Sequence, residues 1–206
     1  MIVSPEVEAY SEAHTTPLPE GVEAALEEAR DALPYPAMLS GAVVGRLLQA
    51  LVWGREAKLV VEIGTYAGVS ALMMASALAP GGRLVTCEIS EEFAAFARRH
   101  LDASPWADRI DLRVGPALET LADLDGPIDF AFIDADKPGY VDYYEAIVPK
   151  LAPRGLIAAD NTLRGGDVLD GRDVMNTFND RVMADPRTAS VLLPVRDGVT
   201  LIRLAS

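Results

Sequence analysis

The sequence predicts an α/β protein of the doubly wound type: a mostly parallel seven-stranded sheet with a C-terminal antiparallel hairpin and helices on both faces. From Lys58 onward, short β-branched runs alternate with longer helical patterns. The runs are continuously apolar, as expected of parallel strands buried on both faces. The last two runs are separated by little more than Arg196-Asp197-Gly198, a spacing typical of a hairpin.

The elements follow in chain order. The predicted strands are 58–63, 83–88, 109–114, 128–134 and 155–160, followed by 190–195 and 199–204 in the hairpin. The predicted helices are 68–79, 91–103, 116–123, 139–151 and 171–184. The first 57 residues read as helical, with breaks at Pro17, Pro19, Pro34 and Pro36. We expect one domain over 1–206, with a helical cap over 1–57 and an α/β core over 58–206.

Composition excludes several classes of function. The formal net charge is −13, and no Lys/Arg patch of the kind that binds phosphates is present, which argues against a nucleic-acid partner. His14, His100 and the single Cys87 do not form a zinc site of the usual His/Cys type. No stretch approaches the roughly 20 apolar residues of a membrane span, and the acidic N-terminus lacks a secretory layout. We expect a cytoplasmic protein without a membrane partner.

A glycine turn follows the first predicted strand. Gly64 and Gly68 allow a tight turn and a close approach of a ligand to the backbone. The third glycine of a pyrophosphate-binding GxGxxG motif is missing, and Glu62 would repel a pyrophosphate but could hold an ammonium group. Glu88, at the end of the second strand, lies where an acidic side chain can bind ribose hydroxyls. This set favours a nucleoside that carries an amino acid.

Polar residues also follow the fourth and fifth predicted strands. If these strands are neighbours, Asp134 converges with Asp160 and Asn161 at the edge of the sheet. Two carboxylates and an amide oxygen suit Mg²⁺ first, with Mn²⁺ or Ca²⁺ as alternatives. A cation there would favour the neutral amine of Lys137 by charge repulsion, so that this residue could act as a base.

These motifs carry a resemblance to a known family. The segments VVEIGTYAGVSALMMA, VTCEI, GPALETL, DFAFIDADKPGYVDYYE, GLIAADNTL and LLPVRDGVTLIRL are similar to the cation-dependent O-methyltransferases, which include the catechol and caffeoyl-CoA O-methyltransferases. The resemblance covers about residues 35–205, and IDADK followed by DNTL is its most specific part. It implies the Rossmann-like methyltransferase fold, S-adenosylmethionine as cofactor, a small hydroxylated acceptor and a homodimer.

The resemblance also implies roles for individual residues. It implies that Lys137 is the base and that Asp134, Asp160 and Asn161 bind the metal. It also implies which residues contact S-adenosylmethionine. Together with the glycine turn, the predicted cofactor-binding residues are Met38, Ser40, Glu62, Gly64, Tyr66, Gly68, Ser70, Glu88, Ala117, Asp134 and Asp136.

Two departures from the family concern the acceptor. Pro36 and Asp136 stand where tryptophans flank the acceptor in the animal catechol enzymes. The loop over 163–173 is shorter than in the plant caffeoyl-CoA enzymes, and its three aspartates are expected to repel coenzyme A phosphates. The sequence therefore favours a small vicinal diol on an aromatic ring.

Two other functions remain as alternatives. A nicotinamide-dependent oxidoreductase of the same fold class would need the third glycine and would have no use for the Asp134, Asp160 and Asn161 set. A non-catalytic S-adenosylmethionine-binding protein would tolerate a broken metal set or a missing lysine, and both are intact here.

Overall fold

The computed structural model of the protein describes residues 3–205, so residues 1, 2 and 206 of the predicted domain lie outside the described part. Three helices precede the sheet: α1 (Pro5–Ala13), α2 (Glu20–Ala32) and α3 (Ala42–Gly54). The prolines separate them as predicted, although Pro36 also begins a short 3₁₀ turn, Pro36–Met38. Proline fits such a first position because its missing N–H has no partner there in any case.

The remaining elements alternate as the sequence predicts. The strands are β1 (Leu59–Ile63), β2 (Arg83–Glu88), β3 (Ile110–Val114), β4 (Ile128–Ile133), β5 (Leu151–Asp160), β6 (Thr188–Leu193) and β7 (Val199–Leu204). The helices are α4 (Val69–Ala75), α5 (Glu91–Asp102), α6 (Ala117–Asp123), α7 (Tyr140–Ile147) and α8 (Val174–Ala184).

The seven strands form one sheet in the order β3-β2-β1-β4-β5-β7-β6. β1 pairs in parallel with both β2 and β4, and β4 with β5, while β7 runs antiparallel to β5 and β6. The strand order reverses between β1 and β4, and ligands in such sheets bind outside the carboxyl ends of the strands at this switch point. The predicted mostly parallel sheet with a terminal antiparallel hairpin is confirmed.

The sheet is covered on both faces. One apolar cluster joins it to α2, α3, α4 and α5, and the other joins it to α6, α7 and α8. All five residues of β1 are buried, which explains why four of them are apolar, Glu62 being the exception. The N-terminal cap shares the first cluster, because Val22 and Leu26 of α2 are buried together with Leu48 of α3.

Two strands, β5 and β6, differ from their predicted bounds by more than one residue. β5 begins at Leu151 rather than at residue 155, since Leu151 still pairs with Ile128 across a register shift that accommodates the proline and glycine of this stretch. β6 ends at Leu193 rather than at residue 195, because Pro194 has no N–H to extend the ladder.

The stretch Pro36–Gly54 meets the length and hydropathy of a membrane span, with 19 residues and a mean hydropathy of 1.3, so the expectation of no such stretch was wrong on composition alone. In the structure it is divided into a 3₁₀ turn and α3. At about 1.5 Å per residue, the 13 residues of α3 span about 20 Å, less than the roughly 30 Å of a bilayer core. α3 packs on α4, where Gly45 faces Met73, so the protein core accounts for one face of this helix.

Candidate active site

A cavity of about 1000 Å³ opens at the carboxyl ends of β1, β2, β4 and β5. This volume is at the upper end of the range for a small-molecule site. The predicted site residues that line it are Met38, Ser40, Gly64, Tyr66, Ser70, Glu88, Ala117, Asp134, Asp136, Lys137, Asp160 and Asn161. Two predicted cofactor residues, Glu62 and Gly68, are not part of its lining.

Glu88 borders one end of the cavity. Its side chain is buried, and its two carboxylate oxygens accept hydrogen bonds from the backbone N–H groups of Tyr66 (2.7 Å) and Ser90 (2.9 Å). These bonds fix the carboxylate at the end of β2, and each oxygen keeps a second lone pair for a ligand. Such a carboxylate can accept hydrogen bonds from the two hydroxyls of a ribose.

Aromatic side chains form the wall beside Glu88. The Tyr66 hydroxyl accepts a hydrogen bond from the backbone N–H of Tyr35 at 3.1 Å. The Tyr66 ring meets Phe93 edge to face, with ring centroids 4.9 Å apart. Phe93 was not predicted as a site residue, and its position in the first turn of α5 next to the end of β2 was the available signal.

Glu62 lies beneath the cavity wall. Its side chain is fully buried, and its Oε2 accepts a hydrogen bond from the Thr86 hydroxyl at 2.5 Å. Its Oε1 has no hydrogen-bond partner among the described residues. Burial raises the pKa of Glu62 to about 8, although the hydroxyls of Ser70 and Thr86 oppose this effect. A positive group placed at Oε1 would stabilise the ionised form.

The backbone of the turn after β1 explains why glycine stands at positions 64 and 68. Gly64 has φ +97°, and a Cβ there would lie 2.2 Å from the backbone oxygen of Asp134. Gly68 has φ +82° and faces Leu101 of α5. Gly64 therefore lets the ends of β1 and β4 come together at the cavity, whereas Gly68 serves helix packing.

The oxygen cluster at the ends of β4 and β5 forms as predicted from their parallel pairing. Asp134 directly follows β4, and Asp160 and Asn161 end and follow β5. The Lys137 ammonium lies between Asp134 and Asn161 and donates to Asp134 Oδ1 (3.1 Å) and Asn161 Oδ1 (2.5 Å). A cationic group thus already occupies the place between these oxygens.

Asp160 adds negative charge that the protein only partly compensates. Burial, together with the charge of Asp134, raises the pKa of Asp160 to about 7, so its ionised form is disfavoured. An all-oxygen donor set with an uncompensated carboxylate suits a hard divalent cation. The fit depends on the amide of Asn161, because no group of three His, Cys, Asp or Glu side chains with metal-binding geometry occurs within residues 3–205.

The buried hydroxyl of Tyr140 holds the Lys137 side chain in place. Its fully buried hydroxyl accepts a hydrogen bond from Lys137 Nζ at 2.7 Å. The same hydroxyl lies 3.2 Å from the backbone oxygen of Ile133 and 3.1 Å from that of Asp160, and it can donate its proton to one of them. Burial holds the pKa of Tyr140 well above its ordinary range, so it stays a neutral phenol. The sequence prediction missed this residue, three positions after Lys137.

The other predicted contacts lie around the cavity in different roles. Asp136 accepts hydrogen bonds from the backbone N–H of Gly139 (3.2 Å) and from the Tyr143 hydroxyl (2.6 Å), so it also shapes the turn after Lys137. Met38 is half exposed, in the turn before α3, whereas Ser40 and Ala117 are buried.

The acceptor side of the cavity carries two arginines, Arg164 and Arg196, that the sequence prediction missed. Of the three aspartates expected to repel coenzyme A phosphates, Asp167, Asp170 and Asp173, none lines the cavity. Asp173 instead caps α8, accepting from the backbone N–H of Met175, and the other two are exposed. The expected repulsion of coenzyme A phosphates therefore stays a prediction, and Asp173 comes near the cavity lining through its 3.5 Å contact with Arg164.

Backbone conformation marks the same region. Five non-glycine residues within 3–205 have positive φ, and four of them line the cavity: Tyr66, Asn161, Arg164 and Arg196, with φ values of 47–58°. Such conformations cost free energy and concentrate at functional sites, where surrounding structure enforces them.

A doubly wound sheet with a carboxylate at the end of its second strand and a cavity at the switch point defines a class of enzymes that bind nucleoside cofactors. The comparisons with known proteins identify the family within this class. The family model described as O-methyltransferase matches residues 14–205, and the chain belongs to this family.

Relatives and solved structures agree with that assignment. Caffeoyl-CoA O-methyltransferase 2 of Zea mays is 37% identical over 188 residues, which cover 82% of this chain and 71% of the relative. Catechol O-methyltransferase of Niastella koreensis is 41% identical over 130 residues, 61% of this chain and 59% of the relative. The crystal structure of the SAH-bound methyltransferase PaMTH1 of Podospora anserina superposes with a TM-score of 0.91 at 30% identity, covering 98% of this chain and 94% of that one.

Proposed function

We propose that this protein transfers the methyl group of S-adenosylmethionine to a hydroxyl of a small aromatic diol, with a divalent cation bound by Asp134, Asp160 and Asn161. The observation that carries the proposal is that Asp134 and Asn161 both accept hydrogen bonds from the Lys137 ammonium, with Asp160 adjacent in the lining of the same cavity that Glu88 borders elsewhere. The family membership supports the reaction class, and it makes the nicotinamide alternative unnecessary.

The cofactor would occupy the end of the cavity around β1 and β2. Glu88 would accept hydrogen bonds from the ribose, and Glu62 would interact with the ammonium of the methionine part. When bound, S-adenosylmethionine supplies an electrophilic methyl group on a positively charged sulfur. The aromatic wall of Tyr66 and Phe93 would exclude water from this region.

The acceptor would bind at the ends of β4 and β5. A divalent cation there would supply charge that favours the ionised form of an acceptor hydroxyl. Lys137 would first release one proton to solvent and give up at least one of its three hydrogen bonds, and its neutral amine would then take the proton of that hydroxyl. Tyr140 would keep the Lys137 nitrogen directed at the acceptor. A homodimer and a cytoplasmic location stay predictions.

A panel of aromatic diols tests the proposal. We expect methylated products, identified by mass spectrometry, when the protein is incubated with S-adenosylmethionine and Mg²⁺ or Mn²⁺, and no product in excess chelator. Undiminished product in excess chelator would exclude a catalytic metal. Binding of S-adenosylmethionine without any product from vicinal diols would favour the non-catalytic alternative.

A further inference from the structure

We infer that Arg196 and Arg164 select an acceptor that carries a carboxylate in addition to its hydroxylated ring. This inference rests on the proposed function and deepens it by naming the class of acceptor. Both arginines line the cavity, and they come from two separate turns. Nothing in the transfer of a methyl group to a hydroxyl requires them.

The fold brings the two turns together. The β6–β7 turn is bonded to the chain after β5, because Thr162 N donates to the backbone oxygen of Gly198 (3.0 Å) and Leu163 N to that of Asp197 (2.9 Å). Gly198 is required there, since a Cβ would lie 2.7 Å from Leu163 N. Arg164 and Arg196 therefore share one side of the cavity, and each has a left-handed backbone with φ near 49° and 48°.

The guanidinium groups have hydrogen-bonding capacity left for a ligand. Among the described contacts, Arg196 donates one hydrogen bond, from Nη1 to the backbone oxygen of Leu39 at 3.2 Å. Arg164 reaches Asp173 only at 3.5 Å. A guanidinium group has five N–H donors in a planar fork that matches a carboxylate. Both side chains are only about one-third exposed, at 33% and 37%.

Their position favours a small acid rather than a long anionic tail. Asp160 pairs with Val199, three residues after Arg196, and the backbone N–H of Arg164 donates to the backbone oxygen of Asn161 at 3.3 Å, so both arginines lie beside the oxygen cluster. An anion held by these arginines would thus be close to the hydroxyls at Asp134 and Asp160, as in a substituted aromatic ring.

Glu8 of α1 shows how a carboxylate meets this site. Its Oε1 lies 3.4 Å from Arg196 Nε, and Glu8 is itself part of the cavity lining. α1 buries none of its residues, so little apolar packing opposes its displacement. We expect the carboxylate of the acceptor to replace Glu8 as the partner of Arg196.

A matched pair of acceptors tests the inference: 3,4-dihydroxybenzoate and its neutral methyl ester. We expect the wild-type kcat/KM to be about five- to tenfold higher for the acid, a modest factor because partly exposed charges are screened. Arg196→Gln and Arg164→Gln should each reduce this preference, while Glu8→Gln should raise kcat/KM for the acid alone. Arg172→Gln, an exposed arginine outside the cavity, is the control and should keep the wild-type preference.

The outcomes separate the inference from the proposed function. Equal turnover of acid and ester, or a preference unchanged in both cavity variants, would overturn the inference while leaving the methyltransferase activity established. Absence of turnover of both acceptors, with cofactor binding intact by calorimetry, would refute the proposed function itself. A third outcome concerns the coenzyme A thioester of 3,4-dihydroxycinnamate. If its kcat/KM exceeds that of the free acid in the wild type but not in the arginine variants, the arginines bind a phosphate and the carboxylate assignment is wrong.

Discussion

Glu62 offers a test of the cofactor end that needs no acceptor. Its side chain is fully buried, one of its oxygens has no partner among the described residues, and burial raises its pKa to about 8. The folded protein without cofactor therefore keeps Glu62 protonated at neutral pH. We predict that replacing it with the neutral Glu62→Gln makes the free energy of unfolding less dependent on pH.

The magnitude follows from the difference between the two states. Below pH 4.5, the ordinary value for glutamate, Glu62 is protonated in both the folded and the unfolded chain and has no effect. As pH rises from there to about 8, the unfolded chain loses the proton and the folded chain keeps it, so the stability falls. At about 1.4 kcal/mol per pH unit, the stability lost by pH 7 is about 3 kcal/mol.

Urea denaturation between pH 4 and pH 8.5 measures this loss. The stability of Glu62→Gln relative to wild type should rise by about 3 kcal/mol between pH 4 and pH 7, whereas Glu27→Gln, an exposed control on α2, should show no such trend.

Calorimetry of S-adenosylhomocysteine binding in two buffers of different ionisation enthalpy adds a second readout. Wild type should release close to one proton at pH 6.5, because the ligand ammonium favours the Glu62 carboxylate, and Glu62→Gln should release fewer. If the free energy of unfolding depends on pH in the same way in wild type and in Glu62→Gln, the reasoning is refuted.

Three further predictions concern the acceptor end. Lys137→Met should lower kcat by about 10²–10⁴-fold with little change in cofactor affinity, and the loss should shrink at high pH; near-normal kcat in Lys137→Arg would exclude a base role, since guanidinium stays protonated. Tyr140→Phe should lower kcat about tenfold with little change in KM, because one hydrogen bond to the Lys137 nitrogen is lost; an unchanged kcat with reduced thermal stability would show that Tyr140 is only structural. Asp160→Ala should abolish the activation by Mg²⁺ while circular dichroism shows a retained fold, and full metal activation of this variant would remove Asp160 from the metal site.

Most of the fold could be predicted because its signals are local. Buried parallel strands give continuous apolar runs, and helices of the intervening segments keep their own periodicity, so the order of elements was readable. The predicted strand bounds were wrong where a local sequence signal conflicts with the pairing of neighbouring strands. Gly155 reads as a strand boundary, yet β5 continues on both sides of it because Leu151 pairs with Ile128 across a bulge.

The oxygen cluster was also predictable, for a geometric reason. Residues that directly follow parallel neighbouring strands meet at one edge of the sheet, so Asp134 and Asn161 could be placed together from their positions after β4 and β5. Tyr140 could not be placed in the same way. Its contact with Lys137 depends on the turn that precedes α7, and tyrosines in an amphipathic helix read first as core residues.

The charge of the acceptor side shows what a sequence count cannot resolve. The loop over 163–173 is acidic by composition, but a ligand responds to the side chains that face the cavity and not to the average of the segment. The cap of α8 engages Asp173, and Asp167 and Asp170 are exposed, while Arg164 lines the cavity in a loop that is hydrogen-bonded to the β6–β7 turn. Because those bonds join segments about 35 residues apart in the chain, the sign of the charge at the acceptor is a property of tertiary structure.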